Sequence, residues 1–282
     1  MRIHHLSCGS LCPHGGRLLG GQGGLRSTVD VICHCLLIES GDGLVLVDTG
    51  FGSEDARNPA QLGQPFRALL RPRPRLEETA VAQVEALGFA AADVRHIVAT
   101  HLDADHAGGL PDFPQAEVHV LAAELAEALQ PSLRERSRYI GGAHWQHGPR
   151  WVEHRSEAGG DRWFGFESVR ILPGLEVEVA LVPLLGHSRG HTGVAVNAGE
   201  RWLLHCGDAY FNHGEMATPP SCPPGLRVFQ RVLSSDNGAR VANAERLREL
   251  AATHGDEVAL FCAHDRHELA REQAASATPA AA

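Results

Sequence analysis

Apolar positions alternate, cluster and recur along this chain in a way that marks out most of its elements. From Val31 to Asp48 two apolar runs flank Ser40-Gly41-Asp42-Gly43, which predicts a β-hairpin whose second strand ends at Asp48-Thr49-Gly50. After an Arg/Pro-rich loop at 71–75, Leu76, Ala80, Val81, Val84 and Leu87 recur at helical spacing, and Gly88 stands where a helix would end. Ile97 to Thr100 reads as a short buried strand running into His101, Glu117 to Leu121 as a strand and Ala122 to Leu129 as a helix. Strand-rich sequence returns over 169–185, and 193–206 forms a hairpin around Ala198-Gly199-Glu200. Residues 239–253 predict an amphipathic helix with Val241, Leu247 and Leu250 as its apolar side, followed by a buried strand at 258–262. This succession occurs once in each half of the chain. It predicts an α/β fold of two sheets packed face to face with helices outside, a four-layer αββα sandwich in one domain over residues 1–270.

Two segments stand apart from that pattern. Residues 131–168 interleave Tyr139, Trp145, Trp151, Trp163, Phe164 and Phe166 with His144, His147, Arg150 and His154. They read either as a lid insertion that walls an apolar pocket or as an inserted helix pair with ordinary packing. Arg134, Arg136 and Arg138 in this segment read as a solvated face. The C-terminal stretch, 271–282, is rich in Ala, Ser, Thr and Pro from Ala274 onward and is expected to be a disordered tail.

The chemistry concentrates where predicted strands end. Thr100-His101-Leu102-Asp103-Ala104-Asp105-His106 sets four ligand-type side chains within six residues, directly after an apolar strand. Ionised Asp is poorly tolerated in a buried place unless it is paired or bound to a cation, so this density points to metal rather than packing. Gly186-His187-Ser188-Arg189-Gly190-His191, Gly207-Asp208 and Ala263-His264 each follow an apolar strand in the same way. One of these alone would read equally well as a turn residue; together they describe one rim of a sandwich.

Composition sharpens this picture. The net charge of −9 opposes nucleic acid as a partner, and no apolar run approaches the roughly 18 to 20 residues a membrane span requires. The seven cysteines are odd in number and scattered, which suits a reducing cytoplasm better than a disulfide framework. Cys33 and Cys35 fall on one face of a strand with His34 on the other, and read as packing thiols rather than a zinc site. Eighteen histidines are a high count beside four Trp and two Tyr, and imidazole is the commonest metal ligand among side chains.

The order Asp-Thr-Gly, His-Leu-x-x-Asp-His-Ala-Gly-Gly, Gly-His-Ser-x-Gly-His, Gly-Asp-Ala and Ala-His-Asp resembles the metallo-β-lactamase superfamily across residues 30–266, nearest in its motifs to the N-acyl-homoserine lactonases. That resemblance implies two divalent cations, zinc first, with His101, Asp103 and His187 around one, Asp105, His106 and His264 around the other, and Asp208 between them. Asp48 would orient ligand loops, and His191 would be an outer group with a structural role. The implied reaction is attack by a bridging hydroxide on a small ester, lactone or thioester. Asp105 and Asp208 would lie at the reacting centre, with Tyr210 as an auxiliary donor to the oxyanion.

One position departs from the family. Most relatives carry His where this chain has Asp103, so a neutral nitrogen is exchanged for an anionic oxygen, which favours iron or manganese at that site. An iron-dependent redox enzyme of the same fold, of the di-iron reductase or sulfur dioxygenase type, is therefore the alternative, and a sensor or scaffold with a vestigial site is a third reading. The expected partner is a small-molecule substrate, with a homodimer as the assembly to look for.

Overall fold

The computed structural model describes residues 1–41, 43–156, 160–172 and 175–277. Six strands form the first sheet in sequence order: β1 (Arg2–Leu11), β2 (Val31–Ser40), β3 (Gly43–Val47), β4 (Val94–Val98), β5 (Glu117–Leu121) and β6 (Arg150–His154). The first three run antiparallel and the last three continue parallel to β3. A short hairpin, β7 (Arg162–Trp163) and β8 (Phe166–Glu167), precedes the second sheet. That sheet comprises β9 (Val169–Ile171), β10 (Val179–Pro183), β11 (Thr192–Asn197), β12 (Trp202–His205) and β13 (Val258–Phe261), antiparallel except where β12 meets β13.

Side-chain alternation divides the apolar residues among the layers. Leu36, Ile38, Val45, Val47 and Val98 of the first sheet meet Val179, Leu181, Val194, Val196 and Phe261 of the second. On the outer side of the first sheet, Leu46, Ile97, Val118 and Val120 pack under Ala80 and Val84 and under Leu125 and Ala128, from the two helices the periodicity anticipates. On the outer side of the second, Val182, Leu204 and Leu260 pack under Leu247 and Leu250 of the helix Asn237–Thr253. Each fully buried Leu, Ile or Val contributes roughly 1.5 to 3 kcal/mol of transfer free energy, so the four-layer order follows from burying both faces of both sheets.

Several expectations change. Val241 is partly exposed; the buried stripe of its helix is Arg240, Ala244, Leu247 and Leu250. Residues 131–168 are not one lid: 150–154 are strand β6, which extends the first sheet, and Trp163 and Phe166 pack on the outer face of the second. The lining of the site receives Ser137 and Arg138 from this segment, while residues 157–159 lie outside the described ones. The C-terminal stretch is a helix, Arg266–Ala277, held because Glu268, Leu269 and Glu272 turn inward and Gln273 Nε2 donates to the His5 carbonyl. Its last five residues, 278–282, lie outside the described ones, as does Asp42 of the first predicted turn. Composition alone concealed β1, whose ten residues set only Ile3, Leu6 and Leu11 among Arg, His, Ser, Cys and Gly, and the helix Pro224–Leu233.

All seven cysteines are free thiols, and no helix among the described residues is long and apolar enough to cross a membrane.

Candidate metal centre

Strand direction places the ligand-type residues together. Asp48 follows β3, His101 follows β4, His187 follows β10, Asp208 follows β12 and His264 follows β13, all at one rim of the sandwich. The parallel pairing of β12 with β13 carries on past their ends, where Ala263 N–H donates to the Gly207 carbonyl and fixes Asp208 beside His264. Gly207 takes φ +51, and a Cβ there would stand 2.6 Å from His191 Nε2, so the turn before Asp208 requires glycine.

The two Asp208 oxygens face different partners. Oδ2 lies 3.8 Å from His101 Nε2 and 3.4 Å from His187 Nε2, while Oδ1 lies 3.3 Å from His106 Nε2 and 3.0 Å from His264 Nε2. Asp103 Oδ2 completes the first group at 3.6 Å from His101 and 3.2 Å from His187. Asp105 Oδ2 completes the second at 3.9 Å from His106 and 3.8 Å from His264. All seven residues singled out in the sequence therefore converge on two adjoining groups that share one carboxylate.

Hydrogen bonds made away from the centre aim these side chains. His106 Nδ1 donates to Asp48 Oδ2 at 2.8 Å and His264 Nδ1 to the Ile32 carbonyl at 2.7 Å, which leaves each Nε2 lone pair facing inward. Asp48, at φ 56, also accepts from Thr100 N–H and Thr100 Oγ1, so it ties the ends of β3 and β4 to His106. His191 donates Nδ1–H to the Leu184 carbonyl and accepts Asp208 N–H at Nε2, the outer structural role expected of it.

The donor set suits cations. His101 Nε2, His106 Nε2 and Asp208 Oδ1 are buried and have no hydrogen-bond partner, an arrangement costly for polar atoms unless something positive satisfies them. Burial works against charge on His106, yet Asp208, Asp105 and Asp48 around it hold its imidazole well above the ordinary range. Burial likewise opposes ionisation of Asp208, but His264, His106 and His187 keep its carboxyl well below the usual carboxylate range. Positive charge is demanded at this point of the fold, and four imidazoles with three carboxylates form a set that divalent metals accept.

Arg138, read from sequence as solvated, is buried against the first group. Its Nε donates to Asp103 Oδ1 at 3.2 Å, Nη2 to His187 Nε2 at 2.9 Å, Nη1 to the His187 carbonyl at 3.0 Å, and both terminal nitrogens to the Leu233 carbonyl. Burial would raise the Asp103 carboxyl, but Arg138 and His101 hold it well below the usual range. Burial and the same guanidinium push His187 down to about 4, so it is a neutral imidazole. The two groups thus differ: the first shares its lone pairs with an arginine, the second does not.

Glu124 is the other functional residue that sequence reasoning missed. Fully buried, it accepts from Leu102 N–H, Tyr139 OH, Ser188 Oγ and Gly190 N–H, binding the 101–106 loop to the 187–190 loop. A Cβ at Gly190 would fall 2.1 Å from the Glu124 nitrogen. The available signal was an ionisable residue on the inner face of an otherwise apolar helix turn.

Tyr210 does not serve the site. Its hydroxyl donates to Glu268 Oε1 at 2.9 Å within the apolar layer outside the second sheet, because two residues beyond Asp208 the chain has turned away from the rim. The expected oxyanion donor is thus a packing tyrosine. A cavity of about 160 Å³ opens over the two groups, walled by Leu11, Phe66, Leu70, Phe211, Phe229 and Leu233.

The sequence profile of the Metallo-beta-lactamase superfamily matches residues 28–253. The chain belongs to that superfamily. A protein described as a probable metallo-hydrolase of Mycobacterium tuberculosis is 44% identical over 277 residues, covering 97% of this chain and 84% of its own length. The N-acyl homoserine lactonase AttM of Azorhizobium caulinodans is 31% identical over 153 residues, covering 54% of this chain and 57% of its own length. Among solved structures, an N-acyl homoserine lactone hydrolase with the product N-hexanoyl-L-homoserine bound at its catalytic metal centre superposes with a TM-score of 0.72. At 19% identity over 96% of this chain and 95% of that one, the likeness is one of fold.

Proposed function

We propose that this superfamily member is a metal-dependent hydrolase that cleaves a small ester, lactone or thioester at a dinuclear centre. The observation that carries the reading is the division of Asp208: one oxygen faces His101 and His187, the other His106 and His264, as a carboxylate shared by two cations would. His101, Asp103 and His187 would hold one ion and Asp105, His106 and His264 the other. Bound there, the ions would supply Lewis acidity toward a carbonyl oxygen and make a water molecule acidic enough to be a nucleophile near neutral pH.

The rest is supplied by this chain's own side chains. Asp48 fixes the direction of His106, Glu124 fixes the two ligand loops relative to each other, and Arg138 balances the charge of Asp103. The apolar wall formed by Leu11, Phe66, Leu70, Phe211 and Phe229 excludes water and suits an acyl portion of the substrate. Because Arg138 already occupies lone pairs of the first group, we expect unequal sites, the one with Asp105, His106 and His264 filling first, with zinc, and the Asp103 site accepting iron or manganese.

A panel of lactones, thioesters, β-lactams and phosphodiesters, assayed with zinc, manganese and iron forms of the protein, tests this reading. Turnover of a carbonyl ester with the metal-loaded protein, lost together with the ions of this centre in Asp208→Ala, is expected. Full turnover by Asp208→Ala would refute the site, and oxygen consumption by an iron form without hydrolysis would refute the reaction class.

A further inference from the structure

A second concentration of imidazoles lies on the inner face of the first sheet and is not used by the centre above. His96 on β4, His119 on β5 and His154 on β6 come from three adjoining parallel strands, and Glu117, two residues before His119, shares its face. His96 Nδ1 stands 3.1 Å from His119 Nε2 and 3.7 Å from Glu117 Oε2, and His119 Nδ1 stands 2.9 Å from His154 Nε2. His96 precedes His101 by five residues, roughly 15 Å at the rise of a strand, so this cluster is separate from the hydrolytic rim.

We propose that His96, Glu117 and His119 form a further cation site, which takes a borderline transition metal such as zinc, nickel or copper. Vertices of a tetrahedron around zinc with Zn–N near 2.05 Å are about 3.3 Å apart, so separations of 3.1 and 3.7 Å need only small side-chain adjustment. Three protein donors leave a position for water. With an ion bound, His119 Nδ1–H would donate to His154 Nε2, 2.9 Å away, which would fix that ring's tautomer with its Nε2 lone pair toward His96 and Glu117, the outer hydrogen bond that metal-binding histidines ordinarily make. Arg150 donates to Glu117 Oε1 at 2.8 Å and leaves Oε2 for the site.

Protons offer little competition here. Burial and the neighbouring His154 and His96 push His119 down to about 3, and burial lowers His96 as well, with Glu117 opposing that shift and Arg150 and Arg95 adding to it. A neutral His96 needs only to move its proton from Nδ1 to Nε2 to accept an ion, so no net proton is released. His119 is 4% exposed while His96 and Glu117 are partly open, which gives an ion a route from solvent. One carboxylate set against two nearby arginines makes the site weaker than the hydrolytic one. Its effect would be to pin β4 to β5 next to the edge strand β6.

The test uses the full chain carrying Asp208→Ala, stripped of metal and then titrated with zinc or copper. Retention of one ion per chain, a rise in melting temperature with zinc, and a copper paramagnetic resonance spectrum showing two coupled nitrogens are expected, all lost when His119→Gln is added. In the otherwise unaltered protein, His119→Gln, or His96→Gln should the first variant fold poorly, is expected to remove one bound ion and leave hydrolysis unchanged. Absence of binding in the Asp208→Ala protein, or an ion count and spectrum indifferent to both substitutions, would overturn the proposal. Failure of every substrate in the hydrolysis panel would count against the proposed function and leave this ion count unaffected.

Discussion

Replacing Arg138 with methionine tests how the Asp103 departure is accommodated. The variant keeps most of the apolar stem but removes the charge that Asp103 and Glu135 face, and it leaves the Leu233 carbonyl without its side-chain donor, while the His187 carbonyl keeps the Ser235 N–H. Arg138 is 8% exposed and Asp103 15%, so solvent screens the pair little. Taking one partner from a buried ion pair costs about 3 to 5 kcal/mol, because the remaining charge stays desolvated. For a chain of this size that is a melting point lowered by roughly 6 to 10 °C in metal-free protein, at about 2 °C per kcal/mol. Differential scanning calorimetry of the chelator-treated variant gives the number. Asp103→Asn combined with Arg138→Met removes both charges and should recover part of the loss, with a coupling energy of about 2 to 3 kcal/mol in the double-mutant cycle. Saturating manganese or zinc should narrow the gap between Arg138→Met and the parent, since a cation then stands beside Asp103 in place of the guanidinium. A metal-free Arg138→Met protein that melts within about 2 °C of the parent, with no coupling in the cycle, would refute the reasoning.

Other substitutions follow from the same geometry. Asp103→His should leave a folded protein that takes up more zinc and less manganese or iron from an equimolar mixture, read by elemental analysis, because a nitrogen donor replaces an anionic oxygen. Tyr210→Phe should leave turnover within about threefold of the parent and cost about 1 kcal/mol in urea unfolding, the worth of its hydrogen bond to Glu268; a hundredfold fall in turnover would restore it to the active site. His5, pushed down to about 3 by burial and by His205, is kept neutral in the fold, whereas the unfolded chain protonates it near 6.5. Its contribution is therefore fully present above pH 6.5 and is lost as pH falls from there toward 3, at up to about 1.4 kcal/mol per pH unit. Unfolding titrations of His5→Phe should show a shallower fall in stability over that window, and an unchanged slope would count against it.

The two-sheet sandwich and the seven ligand-type residues at strand ends were legible because they rest on local regularities. An apolar strand that ends in a polar turn presents its next side chains at a rim, and alternation decides which face each residue takes; Cys33, His34 and Cys35 divide between layers in just that way. Arg138 and Glu124 were not legible. Arg138 meets Asp103 across 35 residues and His187 across 49, and Glu124 joins loops 22 and 64 residues away, so the sequence near either one carries no mark of its partners. Tyr210 was misplaced for a related reason, since proximity in the chain to Asp208 does not survive the turn that follows. Local periodicity thus determined which residues reach the rim, while the partner of each buried charge was decided only when distant segments packed, because an ionised group in the interior is stabilised by whichever opposite charge the whole fold brings to it.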